Sequence, residues 1–234
     1  MDKEKIKQFW IGRSKTVDVP RLESQVNFQT DAEIADLYIK NEIEVINTQL
    51  SLSNNNILVD LGAGNGRFSL LFAPKVRSIV AVEYIKDFTD AIIKQAKERG
   101  FSNIEVINSP AEDFCKENFA DIVFVSGLLS FLDYEQYNQI IKNISKTLKK
   151  DGILFLRETI SVLKEEFIVD KFSEELNAHY CSIYRTSKQH IDALNKEQFK
   201  LLKYGPFFED GSILNKRVET RLHYFVFTKN KLKD

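Results

Sequence analysis

Residues 59–68 read "VDLGAGNGRF", with glycines at 62, 64 and 66 directly behind an apolar run and Asp60 just before the first glycine. Short continuous apolar runs are typical of strands that are buried on both faces of a parallel sheet. Glycine allows the positive φ angles of a tight turn and the close approach of a ligand to the backbone. The stretch therefore predicts a buried strand, a ligand-binding loop and a helix that begins after the last glycine.

Apolar runs and helical patterns alternate on both sides of this loop. Apolar residues spaced three and four positions apart predict helices over 31–50, 86–100 and 133–150. Continuous apolar runs predict strands at 57–61, 78–84, 104–109, 120–127 and 153–160. This alternation predicts an α/β protein with an open, doubly wound and mostly parallel sheet joined by right-handed crossovers.

The last third of the chain predicts a helical insert at about 161–197. Apolar residues within 165–180 align at helical spacing, namely Ile168, Phe172 and Leu176. The tetrapeptide "TSKQ" at 186–189 is typical of a capping box that opens a second helix. The later stretches "FKLLKYGPFF" and "RLHYFVFTK" predict two final strands.

Length predicts one domain rather than two. At 234 residues, a second full domain is not expected. Residues 1–32 show no regular period, and we assign residues 1–50 to an N-terminal lid and helix within the same domain as residues 51–234. The main part of that domain then carries the glycine loop, and the lid and the insert flank it.

Composition and charge limit the classes of protein further. The chain is 43% hydrophobic, which is ample for a packed core. A net charge of −1 leaves no basic excess for nucleic acid, and no apolar span reaches membrane length. Cys115 and Cys181 are far apart and the three histidines form no cluster, so we expect reduced thiols, no metal site and a cytoplasmic location.

Two classes of nucleotide cofactor compete for the glycine loop. A dinucleotide fingerprint reads G-x-G-x-x-G, and its third glycine would fall at Arg67. The chain instead reads D-x-G-x-G-x-G from Asp60 to Gly66. A NAD(P)-binding Rossmann protein is therefore the less favoured alternative.

The motif "VDLGAGNGR" resembles the first motif of the class I S-adenosylmethionine (SAM)-dependent methyltransferases. The segments "AVEY", "NSPAEDF", "ADIVFVSGLLSFL" and "LKKDGILFLRE" resemble further parts of that family, over about residues 57–158. The final "LHYFVFTK" is similar to its antiparallel seventh strand. The resemblance implies a doubly wound, mostly parallel seven-stranded sheet with an antiparallel last strand.

The resemblance also implies SAM as the cofactor and assigns residues to it. Asp60 would receive the amino group of SAM, and Glu83 would bind both ribose hydroxyls. Pro110 stands where many relatives carry an aspartate that contacts adenine, so Ala111 with Glu112 or Asp113 would serve there. The complete set of candidate cofactor residues is Asp60, Gly62, Ala63, Gly64, Gly66, Arg67, Glu83, Tyr84, Ala111, Glu112, Asp113, Ser126, Trp10 and Arg13.

The acceptor is expected outside the carboxyl ends of strands four and five. The fourth strand runs into "SGLL" (126–129), not an "NPPY"-like tetrapeptide, which argues against methylation of an amide or an adenine amine. Since the core carries no added nucleic-acid module, the expected acceptor is a polar small molecule methylated on oxygen or nitrogen. The candidate substrate-binding residues are Leu129, Arg157, Tyr180 and Arg185. The candidate catalytic residues are Glu158, Tyr184 and His190.

The cations of this region suggest an anionic acceptor. Arg157 and Arg185, with Lys188 and Arg13, would hold a phosphate or carboxylate, because a guanidinium binds such groups in a bidentate way. Glu158 would then be the general base for a hydroxyl acceptor. The alternative is that these cations pair with acidic neighbours within the protein.

Two functions from different classes stay open. The favoured one is a methyltransferase for a polar metabolite, such as a sugar or a phosphorylated or carboxylated intermediate. The other is a non-catalytic partner subunit with a SAM-binding fold. Neither the acceptor, the atom that is methylated nor the oligomeric state follows from the sequence.

Overall fold

Strands and helices alternate through most of the described residues, which are 2–16, 32–173 and 178–229 of the computed structural model. The helices of this part of the chain are α1 (Lys3–Thr16), α2 (Ala32–Gln49), α3 (Arg67–Phe72), α4 (Lys86–Glu98), α5 (Tyr134–Thr147) and α6 (Ser187–Lys196). Its strands are β1 (Ile57–Leu61), β2 (Ser78–Glu83), β3 (Ile104–Asn108), β4 (Ala120–Ser126), β5 (Leu148–Ser161), β6 (Phe167–Ser173), β7 (Ala178–Tyr184), β8 (Phe199–Pro206) and β9 (Thr220–Lys229).

The main sheet has seven strands in the order β3-β2-β1-β4-β5-β9-β8. The first five are parallel, and β9 runs antiparallel to both of its neighbours, β5 and β8. This arrangement confirms the predicted doubly wound, mostly parallel seven-stranded sheet with an antiparallel last strand. Because the central strands are parallel, the carboxyl ends of β1, β2, β4 and β5 meet at one edge.

Side chains alternate between two apolar layers on the two faces of this sheet. Val59 of β1 and Val123 of β4 point into a mainly aliphatic layer that is completed by α5 and α6. Leu58 and Phe124 point the other way, into a layer rich in phenylalanine that includes residues of α2 and α3. Burial on both faces explains why these strands are continuous apolar runs.

The predicted helix over 165–180 is wrong. β6 and β7 form a separate two-stranded antiparallel sheet, and helix begins only at Ser187, where Thr186 and Gln189 make the predicted capping box. Ile168 and Phe172 are four residues apart, a spacing that shares one face in a strand as well as in a helix. Both side chains are more than half exposed on the outer face of β6. Leu176 lies outside the described residues.

Helix α1 was not predicted, because few of its side chains are apolar and buried. Ile6 and Phe9 pack against β7 and against Phe131 of the loop after β4, in a small cluster apart from the two main layers. A part of the expected N-terminal lid, residues 17–31, lies outside the described residues. Within the part of the chain that is described, no helix has the length and apolar character needed to cross a membrane.

Candidate cofactor and acceptor site

A cavity of about 590 Å³ opens at the carboxyl ends of the central strands. Its inner side is formed by the glycine loop and by the ends of β2, β4 and β5. We call its other side the outer wall; it consists of α1, the β6–β7 sheet and residues 207–219 between β8 and β9. The cavity therefore lies where a doubly wound sheet places its ligand.

The glycine loop holds a backbone that other residues adopt only with strain. Gly62, Gly64 and Gly66 have φ angles of 72°, 56° and 82°. The amides of Gly62 and Ala63 both donate to the carbonyl of Val82, at 2.9 and 3.0 Å, which fixes the loop against β2. A Cβ atom at Gly66 would lie only 2.7 Å from the Ile92 side chain. Conformation and space thus both require glycine there.

Glu83 ends β2 directly beside this loop. Its Oε2 accepts a hydrogen bond from the amide of Gly64 at 2.9 Å, and its Oε1 accepts one from the amide of Ile85 at 2.8 Å. Burial raises the pKa of Glu83 to about 7, and these amide bonds oppose the shift while Asp60 adds to it. The carboxylate faces the cavity and is short of positive charge.

Asp60 is the second buried acid on the inner side. Its Oδ2 accepts a hydrogen bond from Ser69 Oγ at 2.6 Å. Burial raises its pKa to about 6, against the effect of the hydrogen bonds from Ser69. Two carboxylates held in a low-dielectric wall favour a ligand that brings positive charge and hydrogen-bond donors.

Most of the predicted cofactor residues line this cavity. Those that line it are Asp60, Gly62, Ala63, Gly64, Arg67, Glu83, Tyr84, Ala111, Glu112, Ser126 and Trp10. Gly66, Asp113 and Arg13 are not among the lining residues, so the structure does not bring these three to the cavity. Ser109 and Pro110 also line the cavity, next to Ala111, where the adenine of SAM was expected.

Arg157 lies at the end of β5 as predicted, but it is already engaged. It donates to the Glu42 carboxylate, to Tyr38 Oη at 3.0 Å and to Ser126 Oγ at 3.3 Å. Arg67 donates to the same carboxylate. Burial lowers the pKa of Arg67 to about 9, and the charge of Arg157 lowers it further. This favours the alternative that arginines here pair within the protein.

Glu42 was not predicted from the sequence. Of the apolar residues at helical spacing in α2, Ile39 and Ile43 are only half-buried, whereas Ile46 is buried together with Tyr38 and Glu42. The available signal was an acid on a helix face that is otherwise apolar, since a buried carboxylate needs a cationic partner.

Three predicted acceptor residues lie away from the cavity wall. Arg185 is buried and donates both Nη atoms to the carbonyls of Leu129 and Leu132, and Leu129 itself is buried in the core. Glu158 is buried, and its Oε1 accepts from the amides of Leu128 and Leu129. None of the three lines the cavity, which corrects the expectation that Arg185 and Leu129 touch the acceptor and that Glu158 acts as its base.

His190 is also remote from the cavity. Its Nδ1 lies 2.9 Å from Tyr137 Oη, and the residue is 2% exposed. Burial lowers its pKa to about 3, and the charge of Arg185 adds to this, so the ring is neutral at pH 7. A direct catalytic role for His190 is therefore not supported. Lys188 pairs with Asp192 on the surface of α6.

Tyr180 and Tyr184 do line the cavity, on β7. Their hydroxyl oxygens are 2.8 Å apart, and burial raises the pKa of Tyr180 well above its usual value. Trp10 of α1 meets the ring of Phe131 edge-on, with the centroids 5.0 Å apart. The outer wall is therefore partly aromatic.

The outer wall also holds cations that were not predicted. Those lining the cavity are Lys3, Lys7, Lys216 and Arg217, with Arg221 beside them at the start of β9. Arg217 makes no ion pair with a described residue, and its charge acts on the Tyr180 hydroxyl. Arg221 instead donates to the carbonyls of Arg217 and Thr220 and orders the chain there. Among the described residues, no group of three or more histidine, cysteine or acidic side chains is placed to hold a metal ion.

Comparison with known proteins agrees with this geometry. Residues 58–152 match a family model described as a methyltransferase domain. Phosphoethanolamine N-methyltransferase 1 of Caenorhabditis elegans is 34% identical over 116 residues, or 48% of this chain and 23% of that protein. The Triticum aestivum protein of the same name is 31% identical over 160 residues, or 65% of this chain and 30% of that protein. The chain thus aligns with less than a third of the length of these relatives.

A solved structure extends the likeness to nearly the whole chain. Haemonchus contortus phosphoethanolamine N-methyltransferase 1, in complex with phosphoethanolamine and S-adenosylhomocysteine, has a TM-score of 0.72 at 20% identity, over 99% of this chain and 50% of that chain. Sheet order, glycine loop and buried acids are those of the class I SAM-dependent methyltransferase fold, and residues 58–152 match the methyltransferase domain. SAM is the cofactor of this family, and the buried carboxylates of Asp60 and Glu83 fit its cationic groups and ribose diol.

Proposed function

We propose that this protein transfers the methyl group of SAM to a small polar acceptor that carries an anionic group. The supporting observation is the division of charge within one cavity. Buried carboxylates without a cationic partner among the described residues stand on its inner side, where Arg67 and Arg157 are paired with Glu42, and cations outnumber the single acid, Glu4, on its outer wall. A cationic cofactor and an anionic acceptor complement these two sides, and the volume of about 590 Å³ is suited to small molecules.

On the cofactor side of the cavity, side chains of this protein bind and orient SAM. Asp60 receives the amino group of SAM, and Glu83 accepts hydrogen bonds from the ribose hydroxyls. SAM supplies an activated methyl group on its sulfonium. The protein holds the acceptor in line with that methyl and excludes water.

At the acceptor side, we assign the anionic group to the outer wall and not to Arg157. All three guanidinium nitrogens of Arg157 already donate hydrogen bonds, to Glu42, Tyr38 and Ser126. Arg217 has no such commitment among the described residues, and the paired hydroxyls of Tyr180 and Tyr184 lie on the same wall. One hydroxyl of this pair keeps its proton for a further acceptor, such as a phosphate oxygen.

The relatives suggest which acceptor to try first. Phosphoethanolamine N-methyltransferases act on an amine that also carries a phosphate, as their name states. An unprotonated amine brings its own lone pair, so it requires less of a protein base than a hydroxyl does. We therefore place anionic amines ahead of sugars and other hydroxyl acceptors.

The test is transfer of labelled methyl from SAM to matched acceptors. Phosphoethanolamine and ethanolamine form one pair, and phosphorylated and free sugars form others. We expect methylation of an anionic member, with a KM that rises with salt because screening weakens the encounter. Equal turnover of the neutral partner would contradict an anionic acceptor. Binding of SAM without transfer to any acceptor would favour the non-catalytic partner subunit.

The variant Arg217→Gln tests whether the anionic group of the acceptor binds at the outer wall. We expect its KM for the anionic acceptor to rise by about threefold to tenfold, the range for one charge-assisted contact that is partly exposed. The KM for SAM should not change. Arg77→Gln removes an exposed arginine that does not line the cavity and serves as the control.

A further inference from the structure

The loop after β4, residues 127–132, contacts the outer wall through Phe131, whose ring meets those of Trp10 and Tyr180. We call it the acceptor loop. Gly127, Leu128, Ser130, Phe131 and Leu132 all line the cavity. Leu128 also faces the glycine loop, since a Cβ atom at Gly62 would meet its side chain at 3.1 Å. The position of the acceptor loop therefore affects the space for both ligands.

A buried acid holds the start of this loop. Glu158 Oε1 accepts hydrogen bonds from the amides of Leu128 and Leu129, at 2.8 and 2.9 Å. Glu158 is 1% exposed, and its Oε2 has no hydrogen-bond partner among the described residues. The carboxylate reaches the loop because β5 continues beyond the end of β4, where Ser126 pairs with Arg157.

A buried base holds the rest of the loop. Arg185 Nη1 donates to the carbonyl of Leu129 at 2.8 Å, and its Nη2 donates to the carbonyl of Leu132 at 3.0 Å. Its guanidinium lies 4.1 Å from the centroid of the Tyr137 ring. The planar fork of an arginine can engage two carbonyls at once, whereas a lysine ammonium reproduces only part of this geometry.

We propose that Glu158 and Arg185 are positioning residues that fix the acceptor loop by its backbone and so set the distance between acceptor and methyl donor. The inference rests on the proposed function, because it assigns these residues to the same reaction. Four backbone groups of one short loop are bound by two buried side chains of opposite charge. Holding reactants in the reactive geometry is a large part of catalysis, and a misplacement of about 1 Å can lower a rate about 100-fold.

The molecule carries its own reporter for this loop. Trp10 is the only tryptophan in the sequence, and its ring contacts Phe131 of the acceptor loop. A loosened loop should expose Trp10 to quenchers in the absence of SAM or acceptor. This readout does not depend on the proposed function, so a failure of the positioning role can be told apart from a failure of that function.

The variants are Glu158→Gln, Glu158→Ala and Arg185→Lys, with His190→Asn as the control. His190 is equally buried and bonds to Tyr137, and it bonds to no group of the acceptor loop. We expect Glu158→Ala and Arg185→Lys to raise acrylamide quenching of Trp10 about twofold to threefold. With the acceptor found as above, kcat should fall about 10-fold to 100-fold and the KM for SAM should change less than threefold. Glu158→Gln keeps one acceptor oxygen and should restore most of both properties.

Comparison at equal thermal stability decides the outcome. Unchanged Trp10 quenching and unchanged kcat in folded Glu158→Ala and Arg185→Lys would overturn the proposal, as would equal changes in His190→Asn. If neither variant folds, hydrogen exchange is measured in the unaltered protein instead. Slow exchange of the Leu128 and Leu129 amides supports the proposal, and exchange at the rate of an open loop overturns it.

Discussion

The parallel core and the outer wall of the cavity differ in how far their strands are buried. Strands β1, β2 and β4 are buried on both faces along nearly their whole length, whereas β6 buries only Val169 among its seven residues. A strand that is buried on both faces is a continuous apolar run, and such a run is easily recognised in a sequence. An element covered on one side carries a mixed pattern that several structures can satisfy.

The same division separates the two ligands. The parallel core presents the acids for the cofactor, and the outer wall presents the cations and tyrosines that we assign to the acceptor. We expect the core to carry cofactor binding and the wall to carry recognition of the acceptor. Substitutions on each side can test how far core and wall depend on each other.

The largest effect is expected where α2 joins the core. Glu42→Gln leaves Arg67 and Arg157 without their shared buried carboxylate, and breaking a buried ion pair costs about 3–5 kcal/mol. We expect urea denaturation to show this loss in the free energy of unfolding. Glu44→Gln, on the exposed side of the same helix, should change it by less than about 0.5 kcal/mol. A small effect at Glu42 would mean that the two arginines find other partners.

Two glycines with the same conformation give a direct comparison of core and wall. Gly66 and Gly211 have φ angles of 82° and 83°, but a Cβ atom would clash with Ile92 at the first and meet nothing within 4 Å at the second. Gly211→Ala should cost about 1–2 kcal/mol from the left-handed backbone alone. Gly66→Ala should cost about 3 kcal/mol, because overpacking is added.

Binding of S-adenosylhomocysteine by calorimetry completes that experiment. We expect Gly66→Ala to weaken binding and Gly211→Ala to leave it unchanged, because only Gly66 belongs to the glycine loop. Equal losses of stability in the two variants would show that Ile92 moves aside and that the core tolerates a larger residue there.

Much of the fold could be predicted from the sequence because most strands of the core are continuous apolar runs. All five parallel strands and the antiparallel last strand were predicted, with ends that differ by a few residues. The error at β6 came from Ile168 and Phe172, whose spacing fits helix and strand equally. Helix α1 was missed because it buries few apolar residues and is held largely by contacts with distant parts of the chain.

The candidate site divides in the same way. Asp60, Glu83 and glycines of the loop line the cavity as predicted, because the resemblance assigned these residue types to fixed places at the strand ends. Arg185 and Glu158 lie away from the cavity, and Arg157 lines it but is paired with Glu42. The sequence does not separate these cases, because a charge at a strand end gives the same sequence pattern whether it meets a ligand or a buried partner. Only the tertiary contacts with Glu42 and the acceptor loop distinguish the two.

Protonation of Glu83 should link cofactor affinity to pH. Its pKa of about 7 in the unliganded protein means that part of the population carries a proton near neutrality. Since the ribose hydroxyls need the ionised carboxylate as acceptor, affinity for S-adenosylhomocysteine should rise as pH increases from about 6 to 8, by up to about tenfold per unit below the pKa. Glu83→Gln should bind more weakly at pH 8 and lose most of this dependence.

The same shift has a consequence for stability, with the opposite sign. The folded state binds the Glu83 proton more tightly than the unfolded chain, whose usual pKa is 4.5. The contribution of this group to the free energy of unfolding is therefore full below about 4.5 and is lost as pH rises to about 7. Asp113→Asn, whose residue does not line the cavity, is the control for both measurements. An unchanged pH profile of affinity in Glu83→Gln would remove Glu83 from the ribose site.

The smallest effect on the free energy of unfolding is expected at two helix caps, one on the core and one near the wall. Asp133 caps α5 and Thr186 caps α6, each in a capping box with a glutamine three residues later. Replacement of either by alanine should lower the free energy of unfolding by about 1 kcal/mol. We expect a global effect for both, because Leu194 of α6 is buried in the same apolar layer as α5.

Asp133→Ser separates the cap from a second contact. Lys3 of α1 lies 3.5 Å from the Asp133 carboxylate, and a serine keeps the cap while removing that ion pair. Because the pair is partly exposed, Asp133→Ser should recover all but a few tenths of a kcal/mol, measured by urea denaturation. The informative contrary result is Thr186→Ala with unchanged global stability and faster hydrogen exchange in 187–196 alone. Helix α6 would then be a separate cooperative unit that unfolds apart from the core.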